Sequence, residues 1–180
     1  MNDKSTFWKA SITNGAILGI ALIIFSVLLY ILDLSTNKWL NYLSYLIIIV
    51  GLIWSTKTHR DNNLGGIISY GQALGFGTMV VVIAALISGI YGYIFMKYID
   101  PSIIDKIIAL GEEEMIKRGM NDEQIEMAQS MQAKFMKPGL MNIIGFFAIV
   151  LWGFVLALIT SIFMKKEGDP YKTAMQNVEE

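Results

Sequence analysis

Four long apolar stretches alternate with shorter polar ones along the 180 residues of this chain. About 20 apolar residues are enough for a helix to cross the roughly 30 Å hydrocarbon core of a bilayer. The pattern therefore predicts an all-α protein with four membrane spans, at about residues 12–32, 39–56, 72–96 and 140–164. No small-x-small cleavage site follows the first stretch, so we expect it to be a retained span rather than a signal peptide.

The one long polar stretch, residues 100–139, lies between spans three and four. Asp100, followed by proline, favours the start of a helix, and Gly119 favours its end. Asn121 begins a capping box for a second helix, which we expect to end at Pro138. The pattern predicts an amphipathic helical hairpin outside the membrane, inserted between spans three and four.

Apolar residues recur at helical spacing in both helices of the predicted hairpin. They predict an interaction surface formed by Ile103, Ile107, Ile125, Met127, Met131 and Phe135. The two apolar faces could bury each other, lie on the membrane surface or form a groove for a partner. The methionines could also be read as a thioether copper site, but without His or Cys in the pattern we favour packing.

Span three carries the most patterned apolar stretch, which begins as ISYGQALGFGTM at Ile68. Small residues four positions apart let helix backbones approach closely. The spacing here and in span one predicts helix packing at Gly15, Gly19, Gly71, Gly75, Ala85 and Gly89. The Gly71–Gly75 surface could serve contacts within one chain or in a homo-oligomer. Alternatively, a path for an uncharged solute could be lined by Ser69, Tyr70, Gln72 and Thr78.

The composition argues against several functions. The chain has no cysteine, which excludes disulfides, thiolate metal sites and cysteine nucleophiles, and its net charge of −1 does not favour nucleic acid. No charged residue lies near the centre of a span, as an ion-coupled pump would need. No catalytic or cofactor motif is present, so we expect no enzyme, cofactor or metal site. We expect the only histidine, His59, to be solvated, and Glu112–Glu114 to be a solvated helix face.

The distribution of basic residues predicts the orientation of the chain. The two sides would carry seven basic residues each, so the total does not decide. Lys4 and Lys9 outweigh the single Lys38 of the first loop, however, and the pair Lys165 and Lys166 directly follows the last span. Both termini are therefore expected in the cytoplasm, with the predicted hairpin on the other side. Residues 165–180 form a polar tail that is too short to pack a core.

Several sequence segments together resemble a known family. They are ISYGQALGFG, SGIYGYIF, IDPS, GMNDEQIEMAQ, a PG pair and WGFVLALITSIFMKK. In this order they resemble the bacterial membrane proteins grouped as domain of unknown function 4199, most strongly over residues 67–166. The resemblance implies a four-span protein of the bacterial inner membrane, and it brings no catalytic residue, cofactor or substrate.

The leading hypothesis from the sequence is a non-enzymatic interaction or scaffolding protein that acts through its extramembrane hairpin. Its partners would be the lipid bilayer and a membrane or envelope protein. The alternative is a small channel or carrier for an uncharged solute, lined by the polar residues of span three.

Overall fold

A computed structural model describes residues 3–35 and 37–166 of the chain. The regular secondary structure of this part is helical: α1 Asp3–Ile31, α2 Lys38–Asn63, α3 Tyr70–Ile94, α4 Ile103–Lys117, α5 Asp122–Phe135 and α6 Pro138–Met164. A π-helical turn, Phe95–Ile99, continues α3. An isolated antiparallel bridge joins Ile68 to Lys166. The all-α prediction is therefore confirmed, and the predicted tail beyond Lys166 lies outside the described residues.

Within the described residues, four helices are long and apolar enough to cross a membrane: Lys4–Ile31, Trp39–Asn63, Tyr70–Ile99 and Pro138–Met164. Large apolar side chains such as Ile31, Leu151 and Phe163 are exposed on their outer faces. An apolar surface of this extent is unfavourable in water, whereas in lipid it needs no protein partner. These helices indicate a membrane protein.

The helices extend beyond the predicted spans. Helix α1 begins at Asp3 rather than near Ile12, and α2 continues to Asn63 rather than ending near Thr56. The sequence limits were set where charged residues begin. A helix can continue past that point, because its backbone hydrogen bonds do not depend on the polarity of its side chains.

Helix α3 forms the centre of the bundle and packs most extensively against α1 and α6. Its buried residues are mostly small: Ala73, Phe76, Gly77, Val80, Val81, Ala84 and Ala85. Helix α2 packs less extensively against its neighbours α1, α3 and α6. Because lipid is as apolar as leucine, close van der Waals contact rather than hydrophobic burial must hold such helices together.

Glycines allow the closest helix contacts. A Cβ atom at Gly15 would lie 2.6 Å from Cβ of Ile83 and 2.9 Å from the carbonyl oxygen of Val80. A Cβ atom at Gly153 would clash with Cγ1 of Val81. At each of these positions a larger residue would force the helices apart.

The other predicted packing residues lie in different surroundings. A Cβ atom at Gly19 would lie 3.1 Å from the carbonyl oxygen of Ala84. The predicted residue Ala85 is fully buried on α3. The carbonyl oxygen of Gly89 accepts a hydrogen bond of 2.6 Å from Nδ2 of Asn142. By contrast, Cβ atoms at Gly71 and Gly75 would meet nothing within 4 Å. The close contacts of the bundle do not use this pair, so a role for Gly71 and Gly75 between two copies of the chain stays a prediction.

Candidate functional site

Polar side chains are buried at the end of the bundle where α1 begins and α2 ends. They are Ser11, Asn14, Ser55, Thr56, His59, Thr160 and Ser161. Several donate to carbonyl oxygens of their own helix, as Asn14 does to Ala10 at 2.8 Å and Ser55 does to Gly51. Such local hydrogen bonds offset the cost of burying the groups in an apolar environment.

His59 was expected to be solvated, and this prediction is wrong. Its side chain lies in the last turns of α2 and is only 4% exposed. The ring stacks on that of Phe76, with centroids 4.0 Å apart and planes 2° apart, and it meets the edge of Phe7 at 6.2 Å. The prediction failed because α2 continues past the predicted end of span two and turns His59 toward α3.

His59 has a side-chain partner on its own helix and a cavity beside its ring. Nδ2 of Asn63 lies 3.0 Å from Nδ1 of His59, within hydrogen-bond distance. A cavity of about 250 Å³ lies beside the ring, lined by Lys4, Thr6, Phe7, Trp8, His59, Asn63, Leu64 and Gln72. His59 joins α1, α2 and α3 through aromatic contacts.

The polar residues proposed to line a solute path in span three make local hydrogen bonds. Ser69 and Gln72 form a capping box at the start of α3. The hydroxyl of Tyr70 lies 3.5 Å from a carbonyl oxygen of α6. The hydroxyl of Thr78 donates to the carbonyl oxygen of Leu74 at 2.8 Å. These hydrogen bonds stabilise the start of α3 and its contact with α6.

A cleft opens at the opposite end of the bundle, between α1, α2, α3 and α6. It encloses about 300 Å³ and is lined by Leu22, Phe25, Ser26, Leu29, Ser35, Asn41, Ser44, Tyr45, Ile48, Ser88, Ala148, Ile149 and Trp152. An adjoining cavity of about 360 Å³ shares Ser26, Ser35 and Asn41 and is bounded by Ile103, Ile107 and Leu110 of α4. The cleft was not predicted from the sequence, because its serines are spread over several helices and follow no common spacing.

The start of α4 is held by Asp100, which is almost fully buried. Its carboxylate accepts hydrogen bonds from the backbone N–H of Ser102 at 3.1 Å and from Nζ of Lys106 at 3.5 Å. The hydrogen bond from the Ser102 side chain and the charge of Lys106 hold the pKa of Asp100 below its usual value. Proline was expected to occupy the first helical position, but α4 begins two residues later, at Ile103.

The connection between α4 and α5 follows the predicted signals. Gly119 has a φ of 76°, which a glycine adopts without strain. The side chain of Asn121 accepts from the backbone N–H of Gln124, and that residue's side chain accepts in return, so the predicted capping box is confirmed. The predicted end of the second helix is wrong, since α5 ends at Phe135 and Pro138 begins α6. Proline suits the first turn because its missing N–H would be unpaired there in any case.

The apolar residues of α4 and α5 do not form one surface. Ile103 and Ile125 are buried. Met127, Met131 and Phe135 are 66%, 59% and 53% exposed. At 100° per residue, Ile125 and Met131 point roughly 120° apart around the helix axis, so one neighbour cannot cover both. We call Met127, Met131 and Phe135 the α5 stripe.

Two exposed ion pairs lie at the end of α4. Near the end of α4, Lys117 pairs with Glu113 at 2.7 Å, and Arg118 lies 3.8 Å from Glu114. The hydrogen bond that Lys117 donates to the carboxylate of Glu113 raises the pKa of Lys117. These exposed ion pairs contribute little stability. They indicate that this end of α4 faces water.

Comparison with known proteins supports the family assignment. The profile of the family described as "Protein of unknown function (DUF4199)" matches residues 13–166. Neither a curated protein nor a solved structure matches the chain. The match covers most of the chain, including all of α2 to α6. As the resemblance predicted, the chain belongs to the DUF4199 family.

Proposed function

We propose that the chain is a non-enzymatic protein of the bacterial inner membrane that binds another membrane or envelope protein. In this proposal α4 and α5 form an extramembrane hairpin between the third and fourth spans, and the α5 stripe is the contact surface. The exposure of the stripe carries the proposal, since three large apolar side chains lie in a row on a helix whose other exposed residues are mostly polar.

The composition of the stripe suits a protein partner. Met127, Met131 and Phe135 are spaced four residues apart, so they lie one above the other on the helix. This spacing is typical of an amphipathic helix that docks into an apolar groove. Methionine adapts to irregular apolar contacts, and an aromatic ring supplies a large buried area.

The orientation of the hairpin belongs to the same proposal. Lys4, Lys57, Arg60 and Lys166 lie at the end of the bundle that carries the α2–α3 connection, to which Lys166 is bridged. Basic residues are enriched on the cytoplasmic side of membrane proteins. The other side carries as many basic residues in total, but Lys4 and Lys9 outweigh the single Lys38 of the first loop. We therefore place both termini in the cytoplasm and the α4–α5 pair outside it, where an envelope protein could reach the stripe.

Photocrosslinking in living cells tests this role. We expect a photoreactive amino acid at Met131 to give a discrete protein adduct. Replacing Met127 and Phe135 with serine in the same chain should reduce that adduct at least about tenfold, because buried apolar anchors dominate the binding energy of an interface. The yield of adduct per membrane-inserted chain is the quantity to measure.

A matched control uses the polar face of the same helix. Glu126→Ser and Lys134→Ser change two exposed side chains of α5 and should leave the adduct yield unchanged. If position 131 crosslinks only to lipid, the stripe lies on the bilayer and the proposal of a protein partner fails. Equal loss in the stripe and control variants would also contradict it.

The alternative function, a small channel or carrier for an uncharged solute, is a second proposal. The cleft favours it, because uncharged polar side chains line a cavity inside the bundle. The residues first proposed for a path, Gln72 and Thr78, are engaged in the local hydrogen bonds of α3. A ligand would therefore enter through the cleft rather than along α3.

A further inference from the structure

The cleft between α1, α2, α3 and α6 is amphipathic along its length. The part several turns from the helix ends is lined mainly by apolar side chains such as Leu22 and Ile149, together with Ser88. Its outer part lies at the level of the helix ends and is formed by Ser35 and Asn41. A molecule that fills the cleft must present an apolar body inward and a polar group outward.

The adjoining cavity extends the polar part of the cleft. Ser26, Ser35 and Asn41 line both spaces, so the two lie side by side. Ile107 and Leu110 of α4 line the second space. Together the two spaces extend from the interior of the bundle to α4. Cavities of this size are typical of small-molecule sites.

The charges near the cleft restrict its ligand. Both lining sets consist of uncharged residues. Among the described side chains that line these spaces, a phosphate or ammonium group that lost its water would meet no opposite charge. Lys106, the basic residue nearest in sequence to the α4 wall, is paired with Asp100. These linings therefore favour a ligand with an uncharged polar end.

The hydrogen bonds within the cleft restrict the ligand further. The Ser88 hydroxyl donates to the carbonyl oxygen of Ala84 at 2.8 Å. Nδ2 of Asn41 donates to the carbonyl oxygen of Ser35 at 3.0 Å, and the Ser44 hydroxyl donates to the carbonyl oxygen of Asn41. Asn41 keeps a second N–H donor, and each hydroxyl oxygen keeps a lone pair for a ligand. These groups suit a ligand whose polar group can both donate and accept, such as an alcohol.

We propose that the cleft binds a neutral lipid alcohol. Its hydroxyl group would donate to Asn41 or Ser44, and its aliphatic chain would lie against Leu22 and Ile149. Two sources share this chemistry, a diacylglycerol and a long-chain prenol. The site is independent of the role proposed for the α5 stripe, since the stripe residues do not line it.

Photolabelling of the full chain in nanodiscs tests the site. The probes are a diacylglycerol and a prenol, each with a photoreactive group in its chain, and each is competed with its unlabelled form. We expect saturable labelling of α1, α2 or α6 peptides that line the cleft by at least one probe. The probe that labels at the lower concentration identifies the source of the ligand.

Two substitutions locate the binding. Ser88→Leu fills the cleft from α3 and should reduce labelling at least about tenfold, because the ligand's chain loses its space. Thr78→Leu is the control. The hydroxyl of Thr78 also donates to a carbonyl oxygen of α3, but Thr78 does not line the cleft. This substitution should leave labelling unchanged. Asn41→Leu, at the open end of the cleft, tests the polar contact without altering the core.

Three results would overturn the inference. The first is equal labelling of the wild type and of both cleft variants, Ser88→Leu and Asn41→Leu. The second is labelling that maps only to lipid-facing peptides outside the cleft. The third is competition by a prenylquinone or a phospholipid as strong as that by the alcohols, since the former only accepts hydrogen bonds and the latter is charged.

Discussion

Replacing Phe76 with alanine is expected to lower the free energy of unfolding by about 3 kcal/mol, near the lower end of the range for Phe→Ala in cores. Phe76 is fully buried and lies between His59 and Phe7, at ring distances of 4.0 Å and 5.9 Å. The substitution removes both aromatic contacts and leaves a cavity among α1, α2 and α3. We expect the lower end of the range because lipid is as apolar as the core. The substitution therefore costs packing contacts and little hydrophobic free energy.

The measurement for Phe76 is reversible unfolding in mixed detergent micelles, followed by helical circular dichroism. Phe147→Ala is the matched control, since Phe147 is 64% exposed on the outer face of α6. We expect it to change the free energy by less than about 0.5 kcal/mol. Equal effects of the two substitutions would show that Phe76 does not pack in the centre of the bundle.

Gly15→Ala is expected to destabilise the bundle by about 1–3 kcal/mol, the usual cost of overpacking. The added Cβ would lie 2.9 Å from a backbone carbonyl oxygen of α3, which cannot move unless the helix moves. Helices α1 and α3 form one of the two most extensive contacts of the bundle. A small displacement there is therefore transmitted along the interface.

Gly75→Ala on α3 provides the control for Gly15→Ala. An added Cβ at Gly75 meets nothing within 4 Å, and alanine is the better helix former. We expect unchanged or slightly increased stability in the same unfolding experiment. A larger loss of stability for Gly75→Ala than for Gly15→Ala would contradict the contacts described for α1 and α3. It would indicate instead that Gly75 lies in an interface between copies of the chain.

The membrane helices could be predicted because bilayer thickness requires long apolar runs, and those runs are visible in the sequence. The capping box at Asn121 was also predictable, since it depends on residues three positions apart. The end of α2 could not be predicted from the sequence. Apolar content decreases after Thr56, yet the helix continues to Asn63 and carries His59 into the core. Helix length depends on backbone hydrogen bonds and tertiary contacts that composition does not show.

Which surfaces meet could not be predicted from spacing alone. Gly71 and Gly75 have the spacing of a helix contact, as do Gly15 and Gly19, yet the latter pair alone lies against a neighbouring helix. The spacing identifies a surface of small residues, but it does not identify the helix that packs against that surface. The apolar residues of α5 show the same limit, because burial of Ile125 depends on where its neighbours lie. The cleft, formed by several helices, had no local signal at all.

Cysteine labelling tests most directly the claim that the α4–α5 pair lies outside the membrane, on the side opposite the termini. The chain has no native cysteine, so Ser130→Cys on α5 and Asn62→Cys near the end of α2 report without background. Both side chains are exposed. In spheroplasts, a membrane-impermeant thiol reagent should label position 130 directly and position 62 only after permeabilisation. Labelling of position 62 alone would invert the orientation, and protection of position 130 even after permeabilisation would place α5 within the membrane.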